Sequence, residues 1–555
     1  MKIVSVSLFL TSLFFSGFAQ LLSTQNEYTR QDTLRGMLRP ERTCFDVTFY
    51  DLDITVDPNN KSVSGSNTIH YKVEQDFTRI QIDLFEEFEV KSITQNKQPL
   101  KYTRDEKVVW IDFPQTQKKG SQGEIRIAYT GKPIVAERAP WDGGFVWSED
   151  DNGNPWIGVA CEGIGASLWW PNKDHLSDEP DSMSIRVAVP TGLMCVSNGN
   201  LRNEERLEGG FTRWDWFVAN PINNYNVTVN IADYMHFGET FTNVEGEDLA
   251  LDYYVLPENL ETAKEHFKQV IPMMECFEKF MGPYPFYEDG FALVETPYLG
   301  MEHQSAIAYG NQYKTGYAGT DFSRIGLDFD YIIIHETGHE WWGNSVGCSD
   351  IADLWIHEGF CTYSEAIYVE CMHGYETAMD YVNAKKPRVG NREPLVGDYH
   401  VNNEGSSDMY NKGMLILNTI RHIVNDDEKW WNIIRGLAKN FRHQTIHTDD
   451  VVQYINEQSG MDFTSLFDQY LHHGSLPKLE YKTKKKKDGV QVNYRLVGDV
   501  DGISAPLKAT TEKETYNLIT ANSKWQKMKL PNVSSKDFEW GERWSYFDFV
   551  KVGRK

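Results

Sequence analysis

The chain has 555 residues, a formal net charge of −25, and 40% hydrophobic with 13% aromatic residues. That length exceeds what one hydrophobic core can organise, so roughly two to four domains are expected. The acidic balance argues against nucleic acid and against anionic membrane surfaces as partners.

In chain order, Lys2 precedes an apolar run over 3–15 and a small-x-small site at Gly17-Phe18-Ala19. This pattern predicts a signal peptide over 1–19, a mature start near Gln20, and export to the periplasm or outside. The apolar run is short for a membrane span, and no other stretch reaches that length, so no span is expected. A polar linker (20–38) follows. From 39 to 235 the chain alternates apolar and polar residues in short runs, at 45–56, 62–73, 79–84, 108–113, 124–129, 184–189 and 225–231. Turn signals separate them, which predicts an antiparallel β domain.

From 236 to 477 the period turns helical. A helix is predicted over 259–281, capped by Asn259 and stopped by Gly282-Pro283. Short strands are expected at 291–295 and 306–308, and helical segments at 328–346, 353–372, 412–425, 448–459 and 463–472. Alternation returns at 490–496, so 478–555 reads as a small β-sandwich-like domain. Its lysine run 484–487, before Asp488-Gly489, reads as a solvated hairpin turn. The overall fold class is multidomain α+β. Seven cysteines (44, 161, 195, 276, 348, 361, 371) form no regular framework. Most are expected as buried thiols, with room for one disulfide; Cys361 and Cys371 share one helix and lie too far apart to bridge.

The chemistry concentrates in His335-Glu336-Thr337-Gly338-His339, with Glu358 following after 340–357. On a helix, His335 and His339 stand one turn apart on one face. Two imidazoles and a carboxylate from a second helix leave an open fourth position on a zinc ion, the catalytic rather than the structural pattern. Glu336, beside that face, can reach a metal-bound water without ligating the metal.

The wider pattern His335-Glu336-x-x-His339-x-Trp341-x-Gly343-Asn344, then Glu358-Gly359-Phe360, resembles the M1 family of zinc aminopeptidases (gluzincins). The resemblance runs over most of the chain. It implies one Zn²⁺ per chain on His335, His339 and Glu358, a thermolysin-like α+β catalytic domain, and Glu336 as general base. The family's G-x-M-E-N motif is matched by Leu299-Gly300-Met301-Glu302-His303, departing at Leu299 and His303. By resemblance, Glu302 binds the free α-amino group and the backbone at Gly300 and Met301 pairs with the peptide. A second amine anchor is implied at Ala160-Cys161-Glu162, with Ala160 in place of the usual Gln. Tyr410-Asn411-Lys412-Gly413 matches the stretch whose tyrosine stabilises the oxyanion. Glu365, two helical turns after Glu358, is implied to orient a zinc-bound imidazole.

Together these imply an aminopeptidase acting on peptides with a free N-terminus, in a short form without the large C-terminal helical domain of many members. The oligomeric state is left open. Three alternatives share the architecture: a thermolysin-like zinc endopeptidase, an epoxide hydrolase, and a non-enzymatic peptide-binding scaffold.

Overall fold

A computed structural model describes residues 28–553 except 322, 324, 325, 327, 328 and 513. The signal peptide expected over 1–19 lies outside the described residues. Among them, no helix is long and apolar enough to cross a membrane.

The N-terminal region is built on an eight-stranded sheet. Strand Phe45–Asp57 sits inside it, antiparallel to Ser62–Val73 and parallel to Ser182–Pro190. Its apolar alternation buries Phe45 and Val47, then Tyr50, Leu52, Ile54 and Val56. The phase change coincides with a register shift between Val47 and Phe49, where an extra residue flips the facing side. A four-stranded sheet carries Pro155–Ala160 toward the catalytic region. The strand expected at 225–231 is shorter, Asn230–Ala232. Tyr225 instead lies in a 3-10 turn, Asn224–Asn226, capped by the Asn223 side chain. Asn favours such local side-chain to backbone bonds over a ladder.

The next region starts from a five-stranded sheet, in the order Met235–Thr242, Asp248–Val255, Phe291–Glu295, Ile307–Tyr309, Gly300–Met301. Its alternation serves two cores at once. Leu251, Tyr253, Leu293, Ile307 and Tyr309 face the helices, whereas Tyr254, Ala292, Val294 and Ala308 pack with the N-terminal β region. Gly300–Met301 is the edge strand.

The helix expected over 259–281 is divided. Leu260–His266 and α1 (Val270–Met281) flank a 3-10 turn at Phe267–Gln269. Pro272 has no N–H to return to the preceding turn, so the chain tightens there. The other helices that matter are α2 (Tyr331–Trp341), α3 (Trp355–His373), α4 (Tyr375–Lys385) and α5 (Met409–Val424). Helix α5 begins before the expected 412, so Tyr410 stands in its first turn. A disulfide joins Cys276 on α1 to Cys371 on α3, with Cα atoms 6.0 Å apart; the other five cysteines are buried thiols. The C-terminal strands Lys478–Lys486 and Gly489–Val497 form the expected hairpin. Their apolar face continues the helical core.

Candidate active site

Helix α2 starts at a strong cap. Asp330 accepts the N–H groups of Ile332 and Ile333, and the hydroxyl of Tyr309 at 2.8 Å. Every residue of α2 is buried. A helix buried on all sides is held rigidly, and this one presents His335 and His339 together.

The Nε2 atoms of His335 and His339 lie 3.5 and 3.4 Å from Glu358 Oε2. Ligands about 2.0–2.1 Å from a tetrahedral zinc lie about 3.3 Å apart. Glu358 Oε2 is also buried with no hydrogen-bond partner, an orphan that a cation would satisfy. The residues present therefore fit a zinc ion. Burial alone would raise the Glu358 carboxyl, but His339 and His335 hold it well below its ordinary range. The Cys361 sulfur also lies near both imidazoles, though its thiol donates to the His335 carbonyl at 2.7 Å.

Behind the ligands, His335 Nδ1 lies 2.8 Å from Glu365 Oε1, and His339 Nδ1 lies 3.0 Å from the Trp342 carbonyl. Each leaves Nε2 to face the metal position. Glu365 is fully buried, held by the Tyr381 hydroxyl and by Lys385 at 3.5 Å. Burial would raise it, yet Lys385 and His335 bring it down to about 2. Tyr381 and Lys385, both on α4, were not legible beforehand, because nothing in a local pattern says which face of α4 meets α3.

Two glycine contacts set the wall spacing. A Cβ on Gly413 would stand 2.5 Å from the Gly359 Cα. Helices α3 and α5 thus cross backbone to backbone, next to Glu358 and Tyr410. The Tyr410 ring stacks on His335 with centroids 6.1 Å apart. Burial and the nearby Glu358 push its phenol well above the usual value, so it remains a hydrogen-bond donor. Likewise a Cβ on Gly300 would meet Glu336 Oε1 at 2.8 Å and Ile332 at 2.7 Å. Only glycine lets the edge strand pass that close to the carboxylate. Burial raises Glu336 to about 7.

Glu302 follows that strand and is 3% exposed. Tyr225 donates to its Oε1 at 3.1 Å, and Asn344 donates to its carbonyl at 2.8 Å. Glu162 sits in a tight turn after strand Pro155–Ala160, closed by Gly165 N–H to the Cys161 carbonyl at 2.8 Å. Burial, then Glu302, push Glu162 well up, and its Oε1 has no partner. Ala160 is fully buried and offers no polar contact. His303 is fully buried, neither ring nitrogen bonded to a protein group, and burial lowers it to about 3. Leu299 lines the cavity.

Of the residues singled out from the sequence, the three metal ligands, Glu336, Tyr410, Glu162 and the stretch 299–302 surround one cavity of about 600 Å³, whereas Glu365, Ala160 and His303 do not line it. It also takes in Pro140, Trp141, Tyr317 and Glu404, none of them anticipated. Trp141 is 68% exposed at its rim.

Two family descriptions match the chain. They are the peptidase M1 N-terminal domain over residues 47–225 and the peptidase family M1 domain over residues 263–470. Human endoplasmic reticulum aminopeptidase 1 is 23% identical over 287 residues, covering 49% of this chain and 30% of that protein. The leucyl aminopeptidase of Saccharolobus solfataricus is 22% identical over 446 residues, covering 75% and 52%. Aminopeptidase N of Escherichia coli is 24% identical over 300 residues, covering 50% and 33%. The chain thus spans about half, or less, of the length of these relatives. Among solved structures, an M1 zinc metallopeptidase from Deinococcus radiodurans superposes with a TM-score of 0.65 at 19% identity, over 78% of this chain and 94% of that one. A variant of a two-domain M1 zinc metallopeptidase bound to L-tryptophan gives 0.65 at 20% identity, over 78% and 95%. These likenesses show a shared fold.

Proposed function

The chain belongs to peptidase family M1, and we propose that it is a zinc aminopeptidase removing single residues from the free N-terminus of peptides. The observation that carries this reading is the pairing of a three-ligand metal site with two further carboxylates, Glu302 and Glu162, on one cavity wall. An endopeptidase has no ammonium to bind and gains nothing from that second pair.

Zinc held by His335, His339 and Glu358 would act as a Lewis acid on the first peptide carbonyl and would acidify water at the open position. Glu336 takes the proton from the attacking water and passes it to the leaving amine. Raised toward neutrality by burial, it can both accept and release a proton. Tyr410 donates its hydroxyl to the developing oxyanion, where a fixed donor acts most strongly. Glu302 and Glu162 accept charge-assisted hydrogen bonds from the ammonium, fixing the distance from chain end to scissile bond. The outer side of the edge strand Gly300–Met301, which lines the cavity, pairs with the peptide backbone, as an added strand would. Glu365 sets the tautomer and tilt of His335.

The export proposed for this chain is supported by the Cys276–Cys371 disulfide, which persists in an oxidising compartment. Metal analysis of the purified chain with an aminoacyl-chromophore assay tests the function. One zinc per chain with turnover abolished by chelation and restored by zinc is expected; a metal-free chain with full turnover would exclude it.

A further inference from the structure

Among the described residues that line the cavity there are five glutamates, 162, 302, 336, 358 and 404, and no lysine or arginine. On the reading above, four of the five have work. Glu358 holds the metal, Glu336 moves the proton, and Glu162 and Glu302 hold the ammonium. Glu404 has none. No ion pair or hydrogen bond to its carboxylate occurs among the described residues, and solvent reaches it. A divalent metal and one ammonium, each with its own carboxylates, leave Glu404 without a cation in the cavity.

The surplus charge has a definite place. Glu404 Oε2 lies 3.3 Å from where a Cβ of Gly163 would stand. Gly163 follows Glu162 directly and adopts φ of +72°. Glu404 therefore stands on the wall that carries the amine anchor, beside the position of the first residue. Leu299, Met301 and Trp141 give the same cavity apolar lining. A long aliphatic stem could lie against it with its charged end at Glu404, the usual way lysine and arginine cover apolar surface.

We infer that Glu404 selects the first side chain, and that the preferred substrates are peptides beginning with lysine or arginine. This rests on the aminopeptidase reading. It adds the substrate class, which neither the metal site nor the amine anchor specifies.

The test compares lysyl, arginyl, leucyl and norleucyl chromophore substrates on the zinc-loaded full chain and on its Glu404→Gln and Glu404→Lys variants. Norleucine matches the lysine stem without its charge. Wild type should favour lysyl over norleucyl by about ten-fold in kcat/KM, a modest factor because Glu404 is still reached by solvent. Glu404→Gln should erase most of that ratio, and Glu404→Lys should invert it. Norleucyl turnover in each variant reports that the site is still assembled. Equal lysyl and norleucyl rates in wild type, or a ratio unchanged in Glu404→Gln, would overturn the inference and leave the aminopeptidase reading standing. No turnover of any free-amine substrate by the zinc-loaded wild type would overturn both.

Discussion

Removing the carboxylate behind His335 should weaken metal binding without touching a ligand. Glu365 Oε1 lies 2.8 Å from His335 Nδ1, and both groups are almost wholly inaccessible to solvent. A hydrogen bond to a charged group in such a place contributes about 1.5–3 kcal/mol. It acts by fixing which nitrogen carries the proton and by making Nε2 a better donor. Outer partners of this kind typically change metal affinity about 10- to 100-fold, the same range on a logarithmic scale. Glu365→Ala loses the bond entirely. Glu365→Gln can still accept from Nδ1 through its amide oxygen but carries no charge, and its amide nitrogen would face the Tyr381 hydroxyl and Lys385. Competition against a chromogenic chelator at fixed pH should therefore give zinc affinities in the order wild type, Gln, Ala. Equal affinity in all three, with folding intact by circular dichroism, would refute the claim that Glu365 orients His335.

Three further outcomes are expected. Glu336→Gln should retain zinc yet lose about 10²–10⁴ of turnover, the range for a positioned base; normal kcat would remove Glu336 from proton transfer. Tyr410→Phe should lower kcat about 10²–10³-fold with little change in KM, since the oxyanion exists only in the transition state; a rise in KM alone would point to ground-state binding instead. Glu340, fully buried, is pushed by burial from 4.5 up to about 8. Its Oε2 meets the Tyr284 hydroxyl at 3.1 Å, and that hydroxyl also meets the Gly290 carbonyl at 3.0 Å. One hydroxyl proton cannot serve both acceptors, so a protonated Glu340 completes the network. The folded state then keeps a proton that the unfolded chain has released. Its stability contribution is full below pH 4.5 and is lost as pH rises to about 8. Urea unfolding of Glu340→Gln should show a flatter pH dependence over that window than wild type; identical slopes would contradict the assignment.

What the sequence revealed follows from what a local pattern can encode. His335, Glu336 and His339 are linked by one helical turn, and Glu358 and Glu365 by two. Their relative placement is a property of the helix before any packing. Glycines 359 and 413 sit in the same motifs as Glu358 and Tyr410, and their crossing shows why: without side chains, two helices approach closely enough to share a cavity. Tyr225, Glu404, Lys385 and Tyr381 left no such trace. Each reaches the site from a distant segment whose register with the others is set only by tertiary packing. Tyr225 was obscured further by sitting in a stretch that alternates like a strand but turns at Asn223–Asn226. Asn344 lay in plain view within the extended motif, but its bond to the Glu302 carbonyl belongs to the folded chain.

The central claim is that this metal site works only at a free chain end. The most direct measurement offers one peptide in two forms, with a free and with an acetylated N-terminus, and follows the products by mass spectrometry. Loss of one residue at a time from the free peptide, with the acetylated form untouched, is the expected result. Equal cleavage of both, or cuts at internal bonds, would contradict the role given to Glu302 and Glu162.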